Sequence, residues 1–384
     1  MLNNFQKLTI LIYVFLISFE NIKIFNIDFL FSKLALIFLF SSSSLNIKVF
    51  HSLKKVKELS ILILIYFILF TICNYINRTS LSNDYIDLLF CSNILAFLIM
   101  LSIALISPLF MLKALLVFVV SNILVCFFFF FGIGLSEATE GRFSMFNMNE
   151  NYLGINLAIS FLIIISLLFE NKLQLSIKRY FLILTLPFLF FLIVKTGSRV
   201  AFLSIFFGLF FFILLNKSLN IIQKTFFFII SFISSIILFS LFLKNTFMFE
   251  RLMDVIKSGD TSNRDLIWDA LLVYFTDNFL FGIGRTGFVS IVGEMSPHNV
   301  LLEIFIYTGF VGVIIFCFFY FFIIRKAFQR IKFENNALPF ILLIPISFLF
   351  FSGQIFDKKI VWVILSYIAG YFICRTNNKS NLSS

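Results

Sequence analysis

Four arginines and one histidine carry the chemistry that this sequence offers. Arg142, Arg199, Arg264 and Arg285 are guanidinium groups that stay charged and bind phosphate oxygens bidentately. His298 supplies an imidazole, the side chain best suited to accept a proton near neutral pH. The only other histidine, His51, lies among Lys48, Lys54, Lys55 and Lys57 and reads as solvated. Lys195 and Arg199 share a very short connection between two apolar stretches, which forces both toward a membrane surface. Arg264 shares a helical face with Trp268 and Leu271, in the first turn of a helix read over residues 263–278. A cation there opposes the helix dipole unless an anion lies close by. That anion is a phosphate or, more simply, Asp260. Arginines at helix ends also snorkel without any further role, and a lone histidine is often structural.

The elements that must position these groups are membrane helices. The chain of 384 residues is 61% hydrophobic and only 13% charged, far from the composition of a water-soluble domain or a disordered one. Long apolar runs predict about twelve helices, an all-α integral membrane fold, near residues 7–20, 24–41, 59–77, 85–108, 111–133, 152–169, 180–195, 200–216, 223–243, 300–324, 337–352 and 359–374. The first reads as a retained anchor. With both termini cytoplasmic, 17 basic and 3 acidic residues fall inside, and 12 basic and 16 acidic outside, with Lys33 placed within the second helix. The net charge of +11 is then largely a positive-inside bias, and nucleic acid is not implied. The five cysteines lie in or beside apolar runs, with no spacing for a metal site or a disulfide framework.

Three regions result: helices over residues 1–243, an outer loop over 244–298 containing the amphipathic helix, and helices with a short tail over 299–384. Gly282-Ile283-Gly284-Arg285-Thr286-Gly287 matches a dinucleotide-binding string letter for letter. A helix rather than a strand is expected before it, so positive φ or close backbone approach is the better reason for these glycines.

Four blocks resemble the O-antigen ligase/polymerase family of bacterial envelope glycosyltransferases. They are Gly141-Arg142-Phe143 with Asn149-Glu150-Asn151, in which Glu150 replaces the family's usual proline; Thr196-Gly197-Ser198-Arg199; Arg264 and Trp268 leading to Gly282-Ile283-Gly284; and His298-Asn299 with Glu303, Gly309 and Gly312. The resemblance implies transfer of glycan from a polyprenyl diphosphate, without nucleotide-sugar, cofactor or metal, at the periplasmic face of the bacterial inner membrane. It implies His298, Arg264 and Arg199 as catalytic residues. Arg142, Arg285, Asn151, Asn299 and Glu303 become substrate-binding residues, with Asn299 and Glu303 orienting the histidine or holding sugar hydroxyls. The implied partners are an undecaprenyl-diphosphate-linked oligosaccharide and membrane lipids, with a chain-length regulator and a flippase as further candidates. Within the family the compact Gly282-Ile283-Gly284 stretch favours a polymerase over a ligase that uses lipid A core. A flippase is the alternative from another class; it would show repeats and midplane charges, whereas here the polar residues gather at one face.

Overall fold

In the computed structural model the described residues are 2–24, 27–28, 31–44, 51–77, 84–137, 142–169, 179–238, 268–269, 278–292, 298–351 and 356–380. They form an almost wholly helical array. In chain order its helices are α1 (Asn4–Leu16), α2 (Phe31–Ser44), α3 (Lys57–Ile76), α4 (Asp84–Ile106), α5 (Pro108–Phe130), α6 (Glu150–Phe169), α7 (Arg179–Thr196), α8 (Arg199–Leu215), α9 (Ile221–Leu238), α10 (Gly284–Val292), α11 (Val300–Glu334), α12 (Leu338–Ile341), α13 (Leu343–Phe350) and α14 (Lys359–Ser380). Four helical stretches are long and apolar enough to cross a membrane: Ser52–Ile76, Pro108–Phe130, Glu150–Phe169 and Val300–Glu334. Seven shorter apolar helices accompany them among the described residues. This is a membrane protein.

Several boundaries differ from those read in the sequence. The second helix starts at Phe31, not at residue 24. Lys23–Ile24 and Ile27–Asp28 form a short antiparallel pair instead, with Lys23 opposite Asp28. Lys33 therefore lies in the first turn of α2 rather than deep within a span. The stretch 337–352 is split into α12 and α13. α11 runs to Glu334, beyond the expected residue 324, and is broken at Gly309, where φ is 66° and ψ −167°.

The break in α11 is filled by other backbone. In an unbroken helix the Ile306 carbonyl would accept from the Phe310 N–H. Here Ile306 O accepts from the Ile283 N–H at 2.8 Å, and the Phe310 N–H donates to Phe279 O at 2.8 Å. The Val311 N–H donates to Leu280 O at 3.3 Å. Residues 279–283 thus replace the missing rung, as unpaired backbone groups inside an apolar array require. The glycines make the approach possible. A Cβ on Gly282 would fall on the Ile306 carbonyl, and one on Gly309 on the Leu280 peptide. Gly282 and Gly284 both have positive φ, as the sequence predicted, at 66° and 69°. Gly284 opens α10, so the string read as a loop ends in a helix; its backbone lies against the Cys73 carbonyl and Asn74.

An aromatic core joins α3, α4, α11 and α14. Tyr66, Phe90, Phe97, Phe316, Phe319 and Trp362 are all buried there. Phe356 packs among them, with its ring stacked on Tyr66 at 5.8 Å. Its carbonyl accepts from Asn93 Nδ2 at 2.9 Å and Trp362 Nε1 at 3.1 Å. At the opposite end of the helices, the Lys217 N–H donates to Asn335 Oδ1 at 2.9 Å and Lys217 Nζ to the Lys332 carbonyl at 3.2 Å. Lys224 Nζ donates to the Leu214 carbonyl at 2.7 Å, the usual partnership of a cation with a helix C-terminus.

Candidate active site

The first two blocks meet where α6 and α8 begin. Asn149 Oδ1 accepts from the N–H groups of Asn151 at 3.0 Å and Tyr152 at 3.3 Å, capping α6. Ser198 caps α8 through the Ala201 N–H at 3.4 Å. A Cβ on Gly154 would crowd Ser198, Ala201 and Thr196, so the glycine lets α6 lie directly against the turn that carries Arg199. Arg142 ties the two blocks together. Its Nε donates to the Thr196 carbonyl at 3.0 Å and its Nη2 to Asn151 Oδ1 at 3.1 Å, with Glu150 at 3.5 Å. Arg142 is buried, and three of its partners are protein groups of these same blocks. Arg199 is half-buried at the first position of α8. Lys195 lies over the rings of Phe143 and Phe191, 5.6 Å from each.

The third and fourth blocks meet through the filled break of α11. The Arg285 N–H donates to Asn74 Oδ1 at 2.5 Å, and Thr286 Oγ1 donates to the carbonyls of Asn74 and Asn77 at 3.3 and 3.0 Å. The Arg285 guanidinium lies 3.6 Å from Asp357. Burial alone would lower its pKa. Tyr307, Asp357 and Glu303 outweigh that and hold it above its ordinary value, so the group remains a fixed cation. Glu303 is 1% exposed in the first turn of α11. Asn299 caps that helix, accepting from the Leu302 N–H at 3.1 Å. His298 precedes the cap with φ 50°, a left-handed conformation that, glycine aside, is enriched in asparagine, aspartate and histidine. It is half-buried.

The two halves are joined by a segment that the sequence reading did not select. Asp357 pairs with Arg285 in one half, while Lys358 Nζ lies 4.4 Å from the centre of the Tyr152 ring in the other. Lys359 Nζ donates to Glu20 Oε2 at 2.6 Å, fastening the end of the first helix to the same region. Arg142, Arg199, Arg285, Asn151, Asn299, Glu303 and His298 therefore all lie at one end of the array. Helices α6, α8, α10, α11 and α14 all begin there, and the positive ends of their dipoles favour an anion. Arg264 lies outside the described residues. So does most of the amphipathic helix expected over 263–278, of which Trp268, Asp269 and Asn278 are described, the first two helical and the third in a turn. The signal for the missed segment was three consecutive charges, Asp357-Lys358-Lys359, opening an apolar run.

Residues 180–317 match the family model described as O-antigen ligase. That similarity, over about a third of the chain, supports the resemblance to the O-antigen ligase/polymerase family. The matched stretch runs from α7 to the first half of α11. It contains the Arg199 turn, the filled break and His298, three parts of the site assembled above. Members of that family are glycosyltransferase-like enzymes. No curated protein matches the chain.

Proposed function

We propose that this protein is an O-antigen polymerase. It transfers the growing glycan from its polyprenyl diphosphate to a hydroxyl of the next lipid-linked repeat unit, at the periplasmic face of the inner membrane. The observation that carries the reading is the convergence of Arg199, Arg285 and His298, all within the family-matched stretch, on one end of the array. As the glycosidic C–O bond breaks, negative charge grows on the leaving diphosphate. Guanidinium groups already in place stabilise that charge more in the transition state than in the ground state. One such contact is worth roughly 3–4 kcal/mol. Arg199, Arg264 and Arg285 are the proposed phosphate ligands. Arg142 serves the site by clamping the Arg199 turn to α6, and Asn151 shares that clamp. His298 removes the proton from the attacking hydroxyl. Asn299 fixes where the histidine stands at the head of α11, and Glu303 holds a sugar hydroxyl or the imidazole.

The filled break supports placing chemistry at this level of the membrane. Irregular backbone persists at such depth when it is buried in protein or lines a cavity. In the polymerase reading, both termini are cytoplasmic and the Lys217/Lys224 end faces the cytoplasm.

The second reading is a ligase that passes the finished chain to lipid A core; the matched family model, described as O-antigen ligase, fits either activity. The glycans of a deletion strain separate the two. Loss of a polymerase is expected to leave single repeat units on lipid A core. Long chains stranded on polyprenyl diphosphate would establish the ligase instead, and wild-type lipopolysaccharide would remove both.

A further inference from the structure

Phe356-Asp357-Lys358-Lys359 lies outside the family-matched stretch and outside all four sequence blocks, yet it touches three arms of the site. The segment is held firmly. The Phe356 carbonyl is bonded by Asn93 and Trp362, the residue is 3% exposed, and Lys359 opens α14 with its ammonium on Glu20. Asp357 is thus fixed in place, and the Arg285 side chain is the longer partner, with Tyr307 and Glu303 also beside it. Their separation of 3.6 Å is wider than the roughly 2.7–2.9 Å of a charge-assisted hydrogen bond. Both side chains keep some access to solvent, 17% for Arg285 and 20% for Asp357. The Asp357 Oδ1 that faces Arg285 is itself buried and accepts no hydrogen bond, so the contact is loose and a better acceptor can replace it. A diphosphate carries more charge than a carboxylate and offers oxygens that match the guanidinium fork.

We propose that Asp357 is the resident counter-anion of Arg285, displaced when a diphosphate binds and restored when it leaves. Asp357 is then a positioning residue. It keeps Arg285 aimed into the empty site and competes with the diphosphate, which limits how tightly the leaving group is held after transfer. The inference rests on the reading of this end as a diphosphate site.

The sign of one substitution separates competition from mere support. Full-length protein in detergent would be titrated with inorganic diphosphate, alongside Asp357→Asn, Asp357→Glu, Arg285→Gln and the Asp357→Asn/Arg285→Gln double variant. Asp357→Asn is expected to bind about fivefold more tightly, the scale of losing one half-buried ion-pair competitor. Asp357→Glu should bind as the wild type does. The gain should vanish in the Arg285→Gln background, closing a double-mutant cycle. Equal or weaker binding by a monodisperse Asp357→Asn protein would overturn the exchange. So would a gain that survives without Arg285, since that would be a general field effect. A wild type that binds no diphosphate would instead overturn the reading of the site itself.

Discussion

Replacing His298 by asparagine is expected to lower glycan transfer by roughly 10²–10⁴-fold, the usual worth of a positioned general base, without lowering the amount of protein in the membrane. Asparagine is the informative substitution because of the backbone. His298 stands at φ 50°, where asparagine is among the few tolerated side chains and alanine carries strain. An alanine variant therefore mixes two losses, that of the base and that of the left-handed turn which leads into α11. Asparagine removes the base and keeps the turn. Chain lengths on lipid A core in a complemented deletion strain, with the turnover of purified protein, read the effect. Wild-type chain lengths in His298→Asn would exclude this imidazole as the base and leave it a structural role at the helix start.

The largest effect on folding is expected from Gly309→Ala. The backbone there, at φ 66° and ψ −167°, is in a region essentially reserved for glycine. A methyl group would also fall on the Leu280 peptide, whose backbone cannot rotate aside as a side chain can. Relief requires residues 279–283 to leave the break, which gives up three hydrogen bonds, those of Ile283, Phe310 and Val311. At about 1 kcal/mol for each bond and 1–3 kcal/mol for the strained backbone, the expected loss is on the order of 4–6 kcal/mol. That is enough to remove most folded protein from the membrane. Gly287→Ala is the control. The nearest atom its Cβ would meet is the Ile283 Cβ at 3.1 Å, and no positive φ is required. It is expected to lower thermal stability in detergent clearly less than Gly309→Ala. Equal effects would mean that the filled break is not what the glycine protects.

The contrast between these glycines marks what was legible in the sequence. Gly282 and Gly284 announced an unusual backbone, because no other residue adopts positive φ at so little cost. Their partners were not announced. That Ile306 and Phe310 hand their hydrogen bonds to Ile283 and Phe279 depends on a break in a helix whose apolar sequence reads as continuous. Helix positions were legible from apolar runs, which report burial in lipid or protein. Helix ends were less so, since α11 continues past Ile324 into the charged stretch Arg325–Glu334, where apolar residues alternate with cations. The site divides in the same way. Arg142, Arg199, Arg285 and His298 stood out as polar residues against an apolar background. Tyr152 and Asp357 did not, because a tyrosine at a membrane boundary and an acid between two apolar stretches are ordinary there. Only the fold sets Lys358 over Tyr152 and Asp357 beside Arg285, and so joins the two halves.

The most direct test is a structure of the protein with a polyprenyl diphosphate bound in a lipid nanodisc. The phosphates should lie among Arg199, Arg264 and Arg285, with the His298 imidazole facing the sugar from the side on which an acceptor hydroxyl must approach. Phosphates bound at the Lys217/Lys224 end, or density that leaves Arg199 and Arg285 on opposite sides with no shared cavity, would contradict the glycan-transfer account.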